Sequence, residues 1–134
     1  MKLSERVQSF VGAVRFATTA TIDPDGGPHQ AVVWYVVRGH DLLVNSLVGR
    51  RWPNNLRRDP RFSLVVEDGL DYVSIRGIAK ELYDDERARA DIYELARRYE
   101  TPQEAERLIR DRFSTQHRVS FLLRPERVHE HFEG

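Results

Sequence analysis

VRFATTATIDPDGGPHQAVVWYVVRGHDLLVNSL, residues 14 to 47, holds three strand-like segments separated by two turns. Val14 to Ile22 is rich in Thr, Val and Phe, the residues that suit a pleated, half-buried surface. It is closed by Asp23-Pro24-Asp25-Gly26-Gly27, where proline presets one backbone angle and the glycines accept positive φ. Pro28 to Val37 follows, and Arg38-Gly39-His40-Asp41 breaks it before Leu42 to Leu47. Tight turns of this kind join antiparallel neighbours. The pattern continues through Phe62 to Glu67, the turn at Asp68-Gly69 and a longer strand from Asp71 to Leu82. Two further strands, Arg118 to Leu123 and Arg127 to Phe132, kinked at Pro125, end the chain. The spacing predicts a mainly β protein, an antiparallel sandwich or barrel with flanking helices.

Besides a short helix after Arg50 and Arg51, three helices are expected around this sheet. Leu3 to Val11 has Ser4 to cap it and Gly12 to end it. From Asp84 to Tyr99, Ala88, Ile92, Leu95, Ala96 and Tyr99 recur at helical spacing. Thr101-Pro102-Gln103-Glu104 starts the third, with Thr as cap, Pro at the first position and Glu three residues after the cap. On that helix Glu104 with Arg107, and Glu106 with Arg110, read as solvated ion pairs.

With 134 residues and no linker or repeat, the chain is expected to form one domain, residues 1 to 134. Zero cysteine excludes disulfides, thiolate zinc sites and thiol nucleophiles. The longest apolar run, Ala31 to Val37, is too short to span a bilayer, and residues 1 to 16 lack the apolar core of a secretory signal. No membrane association and a cytoplasmic location are therefore expected. Twenty-one basic residues balance 21 acidic ones, which argues against a nucleic-acid binder.

Ala31 to Val37, AVVWYVV, is apolar on both faces, whereas a half-buried strand alternates. A small single-layer barrel has only one inside, so the second face is expected to meet another copy of the chain, in a homodimer.

The charge balance makes the five arginines between Arg50 and Arg61 a local feature. A strand ends at Leu47, and Val48-Gly49-Arg50-Arg51 leaves it. Pro53 suits the first position of a short helix, with Trp52 extended before it, and Pro60 prevents that helix from passing Asp59. Arg50 and Arg51 thus stand at a helix amino end, where free N–H groups and the positive end of the dipole favour a phosphate or carboxylate. Arg57, Arg58 and Arg61 are assigned structural bonds to carbonyls and acids. A solvated loop is the plain alternative. Against it stand Gly49, which permits a tight turn, Trp52, which offers a flat apolar face, and Asn45, Ser46 and Asn55, which offer hydrogen bonds.

Other constellations carry less. Asp23 and Asp25 lack the distal glutamate of a calcium loop. His129 and His131 share a strand face, but His29, His40 and His117 are scattered, and no metal is expected. No nucleophile elbow and no acid–base carboxylate pair is present. Hydride transfer needs neither, because a cofactor carries the chemistry. Tyr35, Tyr72, a histidine or water remain open as proton donor.

TATIDPDGGPHQAVVW, then LLVNS, then GRRWPNNLRRDPRFSLVV, then YVSIRGIAKEL resembles, in order and spacing, the split β-barrel flavin and deazaflavin oxidoreductases. This is the pyridoxamine-phosphate-oxidase-like superfamily, and within it the branch using coenzyme F420. The resemblance covers residues 10 to 83, with a further part in Val119 to His131. It implies a six- to seven-stranded antiparallel split β-barrel of the FMN-binding type, dimeric, with cofactor held between subunits. It implies a reductase moving hydride between deazaflavin coenzyme F420, or alternatively FMN, and a small unsaturated organic substrate. A flavin carrier or a non-catalytic cofactor or tetrapyrrole binder of the same fold is the other implied class. Arg50, Arg51 and Trp52 match the basic loop that takes the phosphate, and Gly49 precedes it. Gln30, Ala31, Val32, Val33, Asn45, Ser46 and Asn55 match positions along the cofactor, with Trp34 walling the groove. The second subunit typically contributes from the region matching Tyr72 to Arg76. The carboxy-terminal substrate-phosphate motif of true pyridoxamine phosphate oxidases is lacking, so pyridoxamine phosphate is not the expected substrate.

Overall fold

The computed structural model describes residues 1–134. Helix α1 (Glu5–Gly12) starts where Ser4 Oγ accepts from the Val7 N–H at 3.2 Å. Seven strands follow as one antiparallel sheet: β1 (Ala17–Ile22), β2 (Pro28–Val33), β3 (Val36–Arg38), β4 (Asp41–Leu47), β5 (Arg61–Asp68), β6 (Asp71–Tyr83) and β7 (Arg118–His131). Helix α2 (Arg51–Arg58) lies between β4 and β5, and α3 (Glu86–Tyr99) and α4 (Pro102–Asp111) lie between β6 and β7. No helix is long and apolar enough to cross a membrane.

The spatial order of the strands is β2-β1-β5-β6-β7-β4-β3. Its two outermost strands, β2 and β3, are consecutive in the chain, with only Trp34 and Tyr35 between them. A two-residue connection obliges the sheet to curl until its edges approach, although no ladder of hydrogen bonds closes it. This is a split barrel, as expected. Pro28 to Val37 is therefore two strands rather than one. At the break, the Tyr35 N–H leaves the ladder and donates to Tyr99 Oη at 3.1 Å, while Trp34 stacks on the Tyr99 ring at 5.2 Å.

The last strand is, conversely, one element rather than two. Pro125 pairs with Gly77, but Arg127 pairs with Arg76, so Glu126 is an extra residue that bends the strand without ending it. Gly77 permits this close approach, since a Cβ there would lie 2.0 Å from the Arg124 carbonyl oxygen.

Inside the curl lie Tyr35, Leu42, Val44, Val66, Ile75, Phe121 and Leu123, joined by Val7 and Val11 of α1. Burial of each large apolar side chain contributes about 1.5–3 kcal/mol. Tyr35 keeps its hydroxyl satisfied by donating to the Val11 carbonyl at 2.7 Å. The two faces of AVVWYVV separate here: Val33 and Tyr35 point into the core, and Val32 is 68 % exposed. On α4, Thr101 Oγ1 accepts from the Glu104 N–H as expected, and Glu104 pairs with Arg107. Glu106, however, pairs with Arg97 of α3 at 3.0 Å, and Arg110 with Asp111 at 2.9 Å, because α3 and α4 lie side by side.

Candidate anion and cofactor cleft

Helix α2 opens with Arg50 as its N-cap, and no side chain caps its free N–H groups. Gly49, at φ +95°, turns the chain from β4 into this helix. The helix amino end faces a cleft of about 220 Å³ lined by Val32, Val33, Trp34, Asn45, Ser46, Arg50, Trp52, Ile92, Phe113 and Arg118. Strand β2 thus supplies one wall, β4 the floor, α2 the charged end, and α3 with the start of β7 the far wall. Trp52 is buried against Phe121, with centroids 6.0 Å apart, and also lines the cleft.

Arg118 is the residue that sequence reading passed over as a strand start. Only 8 % of it is exposed, and no carboxylate pairs with it. Its Nε donates to Asn45 Oδ1 at 2.7 Å and its Nη1 to Gln116 Oε1 at 2.6 Å, while the guanidinium lies over the Phe113 ring at 5.1 Å. Nη2 makes no bond to protein and is not sealed off, so the planar fork keeps donors for something in the cleft. Burial, and secondarily the charge of Arg50, pulls the Arg118 pKa down to about 10. Two guanidiniums and a helix amino end meet here without a counter-charge. Such a set has the chemistry to hold an anion.

Of the residues expected at the site, Val32, Val33, Asn45, Ser46, Arg50 and Trp52 converge on this cleft, as does Trp34. Asn45 is committed to the protein: Nδ2 donates to the Ala88 carbonyl at 2.8 Å and to Ser120 Oγ at 3.0 Å, and Oδ1 holds Arg118. Gln30 and Ala31 lie further along β2, outside the lining. Arg51 and Asn55 fall on the other side of α2. Arg51 Nε and Asn55 Nδ2 both donate to Asp23 Oδ1 at 3.0 Å, and Arg51 Nη2 donates to Asp23 Oδ2 at 2.5 Å. These bonds hold the Asp23 carboxyl well below the usual carboxylate range. Arg50 and Arg51 therefore do not share one site. Arg50 is the extended N-cap and Arg51 the first helical residue, so the two neighbours leave the helix end in different directions. Arg57 pairs with Glu81, Arg61 with Asp59, and Arg58 donates to the Ile22 carbonyl, the structural roles assigned to them.

Neither tyrosine considered as a proton donor reaches the cleft. Burial pushes the Tyr35 hydroxyl far up, and Tyr72 stacks on His131 on another face. No acid, histidine or tyrosine lines the cleft.

A curled, open antiparallel sheet with a cation-lined cleft at its α2 corner defines a split β-barrel protein. The sequence profile of the pyridoxamine 5'-phosphate oxidase family matches residues 3–132, and the chain belongs to that family. Comparison with curated proteins finds no match. Among solved structures, the chain is similar to a conserved hypothetical protein from Mycobacterium tuberculosis. The TM-score is 0.74 at 29 % identity, covering 96 % of this chain and 84 % of that one. It shares its fold with an F420 reductase, with TM-score 0.76 and 22 % identity over 95 % of this chain and 98 % of that one. It shares it equally with the haem storage protein of Vibrio cholerae, with TM-score 0.70 and 19 % identity over 97 % and 95 %.

Proposed function

We propose that the chain is an oxidoreductase that moves hydride between deazaflavin coenzyme F420 and a small unsaturated organic substrate. The observation that carries this reading is the uncompensated pair Arg50 and Arg118 beside two tryptophans in one cleft. A planar ring on a phosphate tail meets that chemistry: guanidiniums and helix N–H groups for the tail, and apolar and aromatic walls for the ring. When bound, the deazaflavin supplies or accepts the hydride. The chain's own part is to hold the tail through Arg50 and Arg118, to flank the ring with Trp34 and Trp52, and to exclude water with Val32, Val33 and Ile92. With no acid, histidine or tyrosine in the lining, the proton that accompanies the hydride is taken from water or from a second copy.

That second copy is part of the proposal. Ligand pockets for molecules of this size run to about 300–1,000 Å³, and the cleft of about 220 Å³ is smaller. Val32 lies both on the exposed outer face and on the cleft rim. A homodimer covering that face encloses the cleft. FMN also joins a planar ring to a phosphate and is the alternative ligand. A tetrapyrrole is less well served, since no histidine lines the cleft to reach its iron.

The test is turnover: reduced F420 is mixed with the protein and a panel of enones and quinones, and the return of the oxidised cofactor's absorbance is followed. Acceptor-dependent oxidation is expected. Protein that holds reduced F420 without oxidising it against any acceptor is a carrier, and protein that purifies yellow with FMN belongs to the alternative.

A further inference from the structure

Asp91 sits on α3 in the middle of its apolar stripe, between Ala88 and Leu95 and beside Ile92, and is 6 % exposed. Its Oδ2 accepts from the Tyr83 hydroxyl at 2.8 Å and from Ser120 Oγ at 2.7 Å. Ser120, fully buried, accepts in turn from Asn45 Nδ2 at 3.0 Å, and Asn45 Oδ1 accepts from Arg118 Nε at 2.7 Å. A carboxylate and a guanidinium are thus linked through two neutral side chains on adjacent strands β4 and β7. The charged ends set the polarity of the whole chain. Arg118 can only donate, so the Asn45 oxygen faces it. The Asn45 amide must then donate to Ser120, and the one Ser120 proton goes to Asp91.

We propose that Asp91 is a positioning residue for the cleft, orienting Arg118 through Ser120 and Asn45 while leaving the Arg118 charge free for an anion. A carboxylate placed directly on Arg118 would occupy its donors and cancel its charge. Set back by two side chains, it fixes the orientation without competing for the ligand, and each polarised bond strengthens the next. The other Asp91 oxygen is 3.8 Å from Arg38 Nη2, which makes its closer contact with Glu94 at 2.5 Å. That contact lies at the solvent side of α3, away from the relay. The inference rests on the reading above, that Arg118 receives the cofactor's phosphate.

A double-mutant cycle tests it, with F420 as probe and tryptophan fluorescence as readout. Asp91→Asn preserves the shape and removes the charge. It should weaken F420 binding about five- to tenfold in the wild-type background and by less than about twofold in Arg118→Ala, where nothing is left to position. Ser120→Ala, which cuts the relay at its middle with little change of volume, should behave alike and serves if Asp91→Asn fails to fold. Independently of ligand, the Arg118 Nε–H should give a protected side-chain NMR signal that exchanges faster in both variants. Equal weakening in both backgrounds, or no weakening in the wild type, overturns the relay while leaving the cleft intact. Unchanged affinity in Arg118→Ala alone overturns the cleft reading, and the relay with it.

Discussion

Replacing Arg118 by methionine separates what the arginine contributes to folding from what it contributes to binding. Burial, and secondarily the charge of Arg50, holds the guanidinium at about 10, well below its ordinary value. At about 1.4 kcal/mol per tenfold in proton affinity, that depression is on the order of 3 kcal/mol, shared between lost solvation and repulsion from Arg50. The penalty applies at every pH below about 10, where the side chain is charged in the folded and unfolded chain alike. R118M removes it, together with the hydrogen bonds to Asn45 and Gln116, which are worth about 1.5 kcal/mol each at the low end for a charged donor. Across the range of about 1.5–3 kcal/mol per bond, with Asn45 Oδ1 left without its donor, loss exceeds gain by up to about 3 kcal/mol, so the Tm should fall by less than about 10 °C. Binding is not spared, because one lost charge-assisted contact to a phosphate weakens affinity about ten- to a hundredfold. Thermal unfolding of the free protein and fluorescence titration with F420 measure the two quantities side by side. A Tm lower by about 10 °C or more with affinity unchanged would show a purely structural arginine and refute the assignment.

Four further outcomes follow from the geometry. Arg50→Ala should weaken F420 binding about ten- to a hundredfold, whereas Arg51→Ala, bound to Asp23 outside the cleft, should leave it unchanged; titration of both variants decides, and equal losses would restore the paired site. Val32→Glu with Trp34→Lys should give a soluble monomer by sedimentation, while Val33→Glu with Tyr35→Lys should fail to fold; an unchanged mass for the first pair sinks the proposed interface. Gly77→Ala should destabilise by about 3 kcal/mol in denaturant unfolding, because its Cβ meets the Arg124 carbonyl; wild-type stability would mean that the bulge relaxes freely. Asp23, with its folded pKa depressed by Arg51 and Asn55, contributes stability that is whole above the ordinary carboxylate range and drains away as pH falls through that range toward the lower folded value. Asp23→Asn should flatten that part of the acid-unfolding curve, and an unaltered curve would remove the group from the account.

Local chemistry was the legible part of this protein. The turn Asp23-Pro24-Asp25-Gly26-Gly27, the caps Ser4 and Thr101, and the limit that Pro60 sets on α2 all act within a few residues, and each is found in place. What sequence could not show depends on register between distant strands. Leu47 pairs with Arg118 and Asn45 with Ser120, which brings β7 to the floor of the cleft across more than seventy residues of chain. Two weak signals were nevertheless present. Arg118 heads a strand apolar on both faces, and Asp91 interrupts the apolar stripe of α3; a charge in either place needs a partner. The strand break at Trp34 was hidden for a different reason. Nothing in AVVWYVV marks the point at which the chain passes from one sheet edge to the other, because Tyr99, which holds that crossing, lies on a helix far downstream.

The central claim is that this cleft holds F420 by its phosphate. Trp34 and Trp52 both line it, so titration of the wild-type protein with F420, FMN and haem in turn, followed by tryptophan fluorescence, reads it directly. Saturable quenching by F420 at one molecule per chain, shifted about ten- to a hundredfold to higher concentration in Arg118→Ala, is the predicted result. Absence of saturable quenching by F420, with tight binding of FMN or haem instead, would contradict it.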